Sequence, residues 1–193
     1  MHILSILLTY SAAVSAMTYF LTVFAPDTNL DGALLNAANR GFYTSIEGPA
    51  TYCPKNVAKC PDVKGTLVYA GMTGMAVQVP GGQQIFVDPA GHVSYTAAHS
   101  ASMPPGSFPG GWFTKTVVSP CDPTRDVVDF LSPDNSGVGG VQLCPDIEPT
   151  MESSGATYRL YARTKGFNLT DCTEIVGLNL NPVEAEVGCW QYT

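Results

Sequence analysis

The sequence contains little charge, and basic charge is the scarcest. Only 13% of the 193 residues are charged, with nine Lys and Arg against 16 Asp and Glu, which gives a net charge of -7. Nucleic acids and anionic membrane surfaces are bound through basic patches. Because no run of Lys or Arg is present, we expect neither partner.

The chain also lacks an apolar run of about 20 residues, the length that spans a bilayer. Its first apolar stretch, residues 1–16, ends in Val-Ser-Ala, the small-residue pattern of signal-peptide cleavage. We predict cleavage after Ala16, which leaves residues 17–193 as a single secreted domain with no lipid anchor. The alternative is a buried first strand, because apolar residues continue through Phe24.

No Cys-x-x-Cys pair is present, and the two histidines beyond residue 16, His92 and His99, are not spaced with cysteines as zinc ligands. We therefore expect no metal and no cofactor. An even number of cysteines in an exported chain indicates disulfides, although six cysteines allow 15 pairings. We predict three bonds, Cys53–Cys60, Cys144–Cys172 and Cys121–Cys189. Only the first follows from a short loop that doubles back, and the pairing of the other four stays open.

One N-glycosylation sequon is present, Asn168-Leu169-Thr170. Such a triplet also arises by chance, but in an exported protein it is a substrate for glycosylation when it is accessible. We expect a glycan on Asn168.

Helical periodicity is nearly absent. The one helical candidate, residues 31–39, is short and has Gly near its start, so it competes poorly with an irregular or extended structure. A period of two dominates elsewhere and predicts strands. The predicted strands are residues 19–24, 66–70, 75–79, 84–87, 92–95, 112–118, 127–131, 157–162 and 174–180.

Gly and Pro are abundant, at 19 and 15 residues, and mark turns between these strands. Asp88-Pro89-Ala90-Gly91 suits a type I turn and predicts a hairpin between residues 84–87 and 92–95. Many short strands separated by turns indicate a compact antiparallel β-sandwich or barrel with long Pro/Gly loops, stapled by disulfides. The fold class is therefore all-β.

No catalytic motif accompanies the candidate acids and bases. His92 and His99 lack a Gly-x-Ser-x-Gly nucleophile elbow, and His92 follows a turn where a solvent-facing residue is expected. Sixteen acidic residues make a chance carboxylate pair inevitable, so they do not indicate a glycosidase. We expect no catalytic residues and no enzymatic activity.

Sugar binding is harder to dismiss. Trp112 and Trp190 lie near loops or the C-terminal end and are candidate stacking platforms for glycan rings. Aromatic side chains in a β domain more often pack in the core or against a cross-strand neighbour. Both interpretations stay open for these two residues.

Several short motifs, in a fixed order, resemble a family of small secreted fungal proteins that includes IgE-binding mould antigens and a phialide-linked cell-wall protein. The segments that resemble the family are Gln83 to Val87 with the following Gly turn, Ser94-Tyr95-Thr96, Leu143-Cys144-Pro145, Asp171 to Ile175 and Cys189-Trp190-Gln191-Tyr192-Thr193. The resemblance extends from about Asn29 onward, and Cys121 has no counterpart in it.

This resemblance implies an all-β extracellular or cell-wall protein with no established catalytic residues. IgE binding would then be a host immune response. Our leading hypothesis is a non-catalytic, secreted, cell-wall-associated protein that contacts wall polysaccharide. The alternative is an effector or inhibitor that binds a host or competitor protein through its loops. The sequence does not indicate an oligomeric state.

Overall fold

A computed structural model describes residues 17–118, 123–146 and 153–193. Within these ranges the chain forms fifteen strands and one short 3-10 helix, Ala70–Met72. The strands are β1 Thr18–Phe24, β2 Asn36–Ala38, β3 Gly41–Ile46, β4 Thr51–Tyr52, β5 Leu67–Tyr69, β6 Gly74–Met75, β7 Gln83–Val87, β8 Val93–Tyr95, β9 Trp112–Val117, β10 Arg125–Phe130, β11 Val141–Pro145, β12 Ser153–Ala162, β13 Thr173–Ile175, β14 Gly177–Val183 and β15 Gln191–Tyr192. In these ranges no helix is long and apolar enough to cross a membrane.

The larger sheet has eight strands in the order β8-β7-β6-β5-β1-β14-β10-β9. Strand β1 lies near its centre, antiparallel to β14 along its whole length and to β5 on the other side. Its alternation places Leu21 and Val23, both fully buried, on the core face. Burial of each such side chain contributes about 1.5–3 kcal/mol.

The smaller sheet has five strands in the order β13-β11-β12-β3-β2 and packs against the first as a β-sandwich. Side chains from both sheets form one apolar core, in which Leu21 and Val23 meet Phe42, Leu143 and Leu160. The all-β class predicted from the sequence is confirmed, and of the two predicted arrangements the sandwich is the correct one.

The two sheets join at the β7–β8 hairpin. His92 forms an antiparallel β-bridge with Tyr161 near the end of β12, and Ala162 N donates to Gly91 O at 2.8 Å. Gly91 has φ +93°, and a Cβ there would lie 2.5 Å from Ala162 O, so only glycine fits. The predicted turn at residues 88–91 and the hairpin around it are confirmed.

The helix considered for residues 31–39 does not form. Val23 N donates to Ala33 O and Leu35 N donates to Leu21 O, so this segment runs along β1 before β2 pairs with β3. These non-local bonds replace the i→i−4 bonds of a helix, and tertiary pairing overrides a weak local preference.

Two of the predicted disulfides are present. Cys53 bonds Cys60, with 6.0 Å between the Cα atoms, and Cys144 bonds Cys172. Cys189, the predicted partner of Cys121, instead has a free thiol and is 3% exposed, contrary to the prediction. Its chain segment is fixed deep in the core, where Gln78 N donates to Cys189 O. Cys121 lies outside the described residues, as does the predicted signal peptide, residues 1–16.

Candidate functional site

Gln83 and Gln84 open strand β7 and point in opposite directions. Gln83 is 3% exposed, whereas Gln84 is exposed on the surface, as the alternation of a strand requires. A tight turn leads into them, in which Gly82 N donates to Val79 O and Gly81 and Gly82 both have positive φ. The turn therefore fixes the position of both glutamines.

Gln83 connects β7 to two distant segments. Its Nε2 donates to Thr96 O at 3.0 Å and to Tyr192 O at 2.9 Å, and its Oε1 accepts from Tyr192 N at 2.8 Å. Gln84 N also donates to Thr96 Oγ1 at 3.0 Å. These bonds bring strand β15 and the segment after β8 beside the glutamine pair.

Three adjoining depressions surround this point, and each shares at least one lining residue with the next. Their volumes are about 370, 340 and 250 Å³. We call the combined surface the Gln84 groove. It is lined by Arg40, Tyr69, Thr73, Gly74, Met75, Gly81, Gly82, Gln83, Gln84, Thr96, Ala97, Ala98, His99, Ser100, Ala101, Gln191, Tyr192 and Thr193.

The groove carries little charge. Its exposed hydrogen-bonding side chains include Thr73, Gln84 and Ser100, and Tyr69 contributes a half-buried ring. Arg40 is the one permanently charged side chain among the lining residues. Neutral amide and hydroxyl groups both donate and accept hydrogen bonds, so this surface suits a neutral polyhydroxyl ligand better than a charged one.

Two backbone positions in the lining of the groove are unusual. A Cβ on Gly74 would lie 3.1 Å from Gln83 O and 3.9 Å from the Tyr69 ring, so a larger residue would press on the lining. His99 has φ +60°, a left-handed conformation that is uncommon for a residue other than glycine.

Behind the groove lies a buried pair, Cys189 and Tyr192. Leu67 N donates to the Tyr192 hydroxyl at 2.9 Å. Burial raises the pKa of the Cys189 thiol to about 12, although a hydrogen bond with Tyr192 lowers it slightly. Burial also raises the pKa of Tyr192 well above its usual range, and the adjacent Cys189 adds to this. Both groups are therefore neutral at physiological pH.

The two histidines considered from the sequence lie apart. His92 Nδ1 is 2.8 Å from Asp88 Oδ2, while Asp88 Oδ1 accepts from the backbone N of Ala90 and of His92. These bonds stabilise the 88–91 turn, and the His92 ring contacts Tyr161 at 5.0 Å between centroids. His99 lines the Gln84 groove instead. In the described part of the chain, no three His, Cys, Asp or Glu side chains converge as potential metal ligands.

Neither tryptophan presents a fully open face. Trp112 packs on Phe130 with 5.2 Å between ring centroids, and Trp190 is half-buried against the core. Among the Phe, Tyr and Trp residues of the described ranges, the exposed rings are Tyr52, at 51%, and Phe113, at 43%. The two tryptophans that the sequence suggested as stacking platforms are therefore more buried than Tyr52 and Phe113.

Asn168 lies exposed on the loop between β12 and β13. The Cys144–Cys172 bond ties the end of this loop to β11, and Asn168 and Leu169 line a depression of about 220 Å³ beside the bond. The asparagine is thus accessible in the folded protein.

Sequence reasoning missed Tyr69, Thr73 and Ser100 as parts of one surface. They come from two separate segments, the turn between β5 and β6 and the loop after β8, and no local pattern relates these segments. The Gln83-Gln84 pair did carry a signal, because strand alternation predicts one buried and one exposed glutamine.

The chain is 33% identical over 171 residues to a protein of Arthroderma benhamiae described as "Uncharacterized secreted protein". The match covers 86% of this chain and 80% of that protein. No protein-family model matches the chain, and no solved structure matches it. The predicted secretion is confirmed, since the relative is a secreted fungal protein and the two disulfides fit an oxidising compartment.

Proposed function

The chain belongs to the same family of secreted fungal proteins as this Arthroderma benhamiae protein, and we propose that it acts at the fungal cell surface, without catalysis, by contacting wall glycans. The site of contact in this proposal is the Gln84 groove. The observation that carries it is the chemistry of the lining, which combines exposed neutral amide and hydroxyl groups with an aromatic ring.

Sugar hydroxyls donate and accept hydrogen bonds, and so do the groups around Gln84. A Gln amide offers two donors and one acceptor, and Thr73 and Ser100 each offer a hydroxyl. The Tyr69 ring supplies an apolar surface for the C–H face of a pyranose, with its hydroxyl free to bond at the edge. The amide, the hydroxyls and the aromatic ring of the groove thus each match one part of a neutral glycan.

The cell-wall location in this proposal comes from the sequence resemblance to the phialide-linked wall protein. The net charge of -7 is compatible with it, because neutral wall polymers do not repel an acidic protein. IgE binding by related antigens would be a consequence of exposure at the cell surface.

Retention on insoluble polymers tests the glycan contact. The purified secreted chain is incubated with chitin, β-glucan and mannan at physiological salt, and the bound fraction is measured by sedimentation. We expect retention on at least one polymer. No retention on any of the three removes the glycan part of the proposal.

Point variants locate the contact. Gln84→Ala and Tyr69→Ala each remove about 1 kcal/mol of contact, so we expect about fivefold weaker binding. Gln78→Ala is the matched control, because Gln78 is also exposed but does not line the groove. Equal loss of binding in the control and in Gln84→Ala would place the contact elsewhere.

Two further measurements separate the alternatives. An assay for new reducing ends during incubation with each polymer should show none, and sustained release would assign a glycosidase activity instead. Fractionation of the producing fungus should find the protein in the wall. Its free accumulation in culture fluid, bound to a specific protein, would favour the effector alternative.

A further inference from the structure

The lysines of this acidic protein are unevenly paired. Three of the five form ion pairs with aspartates: Lys64 with Asp62, Lys115 with Asp129 and Lys165 with Asp134. The other two, Lys55 and Lys59, have no carboxylate partner anywhere in the described ranges. Both belong to the same small disulfide-closed loop. The protein therefore concentrates its unpaired lysine charge at one place.

The loop holds these two charges close together. The Cys53–Cys60 bond closes it with 6.0 Å between Cα atoms, and Val57 N donates to Pro54 O at 3.0 Å in a turn that contains Lys55. The lysines are four positions apart in the sequence, which limits their Cα distance to about 14 Å. Since both side chains are exposed and long, their ammonium groups can reach one extended ligand.

An exposed aromatic ring lies directly beside this loop. Tyr52, which precedes Cys53, is 51% exposed and is the most exposed aromatic side chain in the described ranges. Its backbone is held by pairing with Gln191 in the two-stranded sheet of β4 and β15. The strand pairing therefore fixes the backbone from which the ring projects. We call residues 52–60 the lysine loop.

We propose that the lysine loop binds an anionic saccharide, a glycan that carries carboxylate or phosphate groups. Lys55 and Lys59 pair with two acid groups along the glycan, and the Tyr52 ring stacks on the sugar between or beside them. An acidic peptide offers the charges but no pyranose face for the ring. The rest of the protein, with its excess of Asp and Glu, repels polyanions and directs them to this loop.

This inference does not rest on the Gln84 groove. The groove takes a neutral ligand through amides and hydroxyls, and the lysine loop takes an anionic one through charge. Gln191 lines the groove and pairs with Tyr52, so the two surfaces adjoin at the Arg40 end. A negative binding result for either surface leaves the proposal for the other surface testable.

Polygalacturonate and its fully methyl-esterified form provide a matched pair of probes, because they share a backbone and differ only in charge. Binding of the full secreted chain is measured by affinity electrophoresis or calorimetry at about 50 mM salt, where screening is weak. We expect binding to the acid form and at least tenfold weaker binding to the ester. A phosphorylated mannan and its dephosphorylated form make the second arm, which distinguishes phosphate from carboxylate as the preferred acid group.

The double variant Lys55→Gln/Lys59→Gln should weaken binding to polygalacturonate by about tenfold and flatten its salt dependence. Tyr52→Ala should weaken it by about fivefold, and Tyr52→Phe, which keeps the ring, should have little effect. Arg163→Gln/Lys165→Gln removes two positive charges from the exposed loop that follows β12 and serves as the control for net charge. The variant residues are exposed, and a non-reducing peptide map verifies the Cys53–Cys60 bond in each.

Three results would overturn the proposal. Binding that the control variant weakens as much as Lys55→Gln/Lys59→Gln would reflect net charge alone. Equal binding to poly-glutamate of the same charge and length, unaffected by Tyr52→Ala, would assign an acidic peptide ligand. Absence of binding to both the carboxylate and the phosphate polymers would exclude an anionic saccharide.

Discussion

The side chain of Gln83 pairs with the backbone of Tyr192 in both directions, as a donor to its carbonyl at 2.9 Å and an acceptor from its N–H at 2.8 Å. This is the pattern of a strand pair, made by an amide side chain in place of a neighbouring backbone. It attaches the C-terminal strand β15 to the start of β7 across 109 residues of sequence. The Gln84 groove depends on this attachment.

Gln83→Ala should therefore destabilise the protein strongly. It leaves the buried N–H and C=O of Tyr192 without partners, at about 1–3 kcal/mol each. We expect a loss of at least about 2 kcal/mol in the free energy of unfolding, measured by urea denaturation. Gln84→Ala changes the neighbouring side chain, which is exposed. It should change the free energy of unfolding by less than about 0.5 kcal/mol. Similar losses in the two variants would contradict the role assigned to Gln83.

Gly188→Ala tests the packing around Tyr192. A Cβ at this buried position would overlap the Tyr192 hydroxyl, so the substitution should cost about 1–3 kcal/mol. In a Tyr192→Phe background the overlapping oxygen is absent, and the same substitution should cost measurably less. A double-mutant cycle by chemical denaturation gives this coupling, and strictly additive effects would show that the overlap is not the cause.

Cys189 should resist thiol reagents in the folded protein. At pH 8 a thiol with a pKa of about 12 is thiolate in only about one molecule in ten thousand, and burial blocks access as well. Iodoacetamide should modify Cys189 only after unfolding, as read from its peptide by mass spectrometry. The same map should show Cys53–Cys60 and Cys144–Cys172 bonds, and a disulfide at Cys189 would refute the free thiol.

Stability should fall in alkali. Burial raises the folded-state pKa of Cys189 from 9.0 to about 12, and it also raises those of Tyr95 and Tyr192 above 10.0. In the unfolded chain these groups have lower pKa values and lose their protons at lower pH. Their contribution to the free energy of unfolding is therefore complete below about pH 9 and is lost as the pH rises towards 12. Urea denaturation between pH 7 and 11 should show a plateau and then a decline. In Cys189→Ala the decline should begin nearer pH 10.

Asn168 should carry an N-linked glycan when the chain is secreted from a eukaryotic host. Asn168→Gln and Thr170→Ala each remove the sequon and should give the same smaller mass as enzymatic deglycosylation. Asn181→Gln is the control, since Asn181 is exposed but precedes Pro182 and lies outside a sequon. A wild-type mass equal to that of Asn168→Gln would show that the site is unused.

The sequence predicts the fold best where local chemistry and tertiary structure agree. Asp88-Pro89-Ala90-Gly91 specifies its turn by its own conformational limits, so the β7–β8 hairpin was predictable. Strand β3 is rich in aromatic and β-branched residues, which favour a strand, although it is not among the predicted strands. The two-residue strands β4 and β15 exist only because they pair with each other, and no local pattern marks them.

The candidate sites were less predictable for a related reason. Alternation separates a buried Gln83 from an exposed Gln84, but it gives no indication that the buried amide binds Tyr192. The unpaired state of Lys55 and Lys59 depends on where every aspartate and glutamate lies in space. Such a site is defined by hydrogen-bond or ion-pair partners far away in sequence, or by the absence of such partners. It can therefore be identified only from the folded structure.

The pairing of β1 with β14 has a consequence for how the protein is made. Residues 18–24 are synthesised well before their main partner, residues 177–183, which lies more than 150 residues further along the chain. Residues 32–35 and β5 bond the other edge of β1 early, but the edge that faces β14 stays unpaired until that partner has been made. Contacts of such long sequence separation slow folding and leave an unpaired strand edge open to aggregation. The yield of secreted protein should thus depend on how well the folding compartment protects this first strand until the last ones arrive.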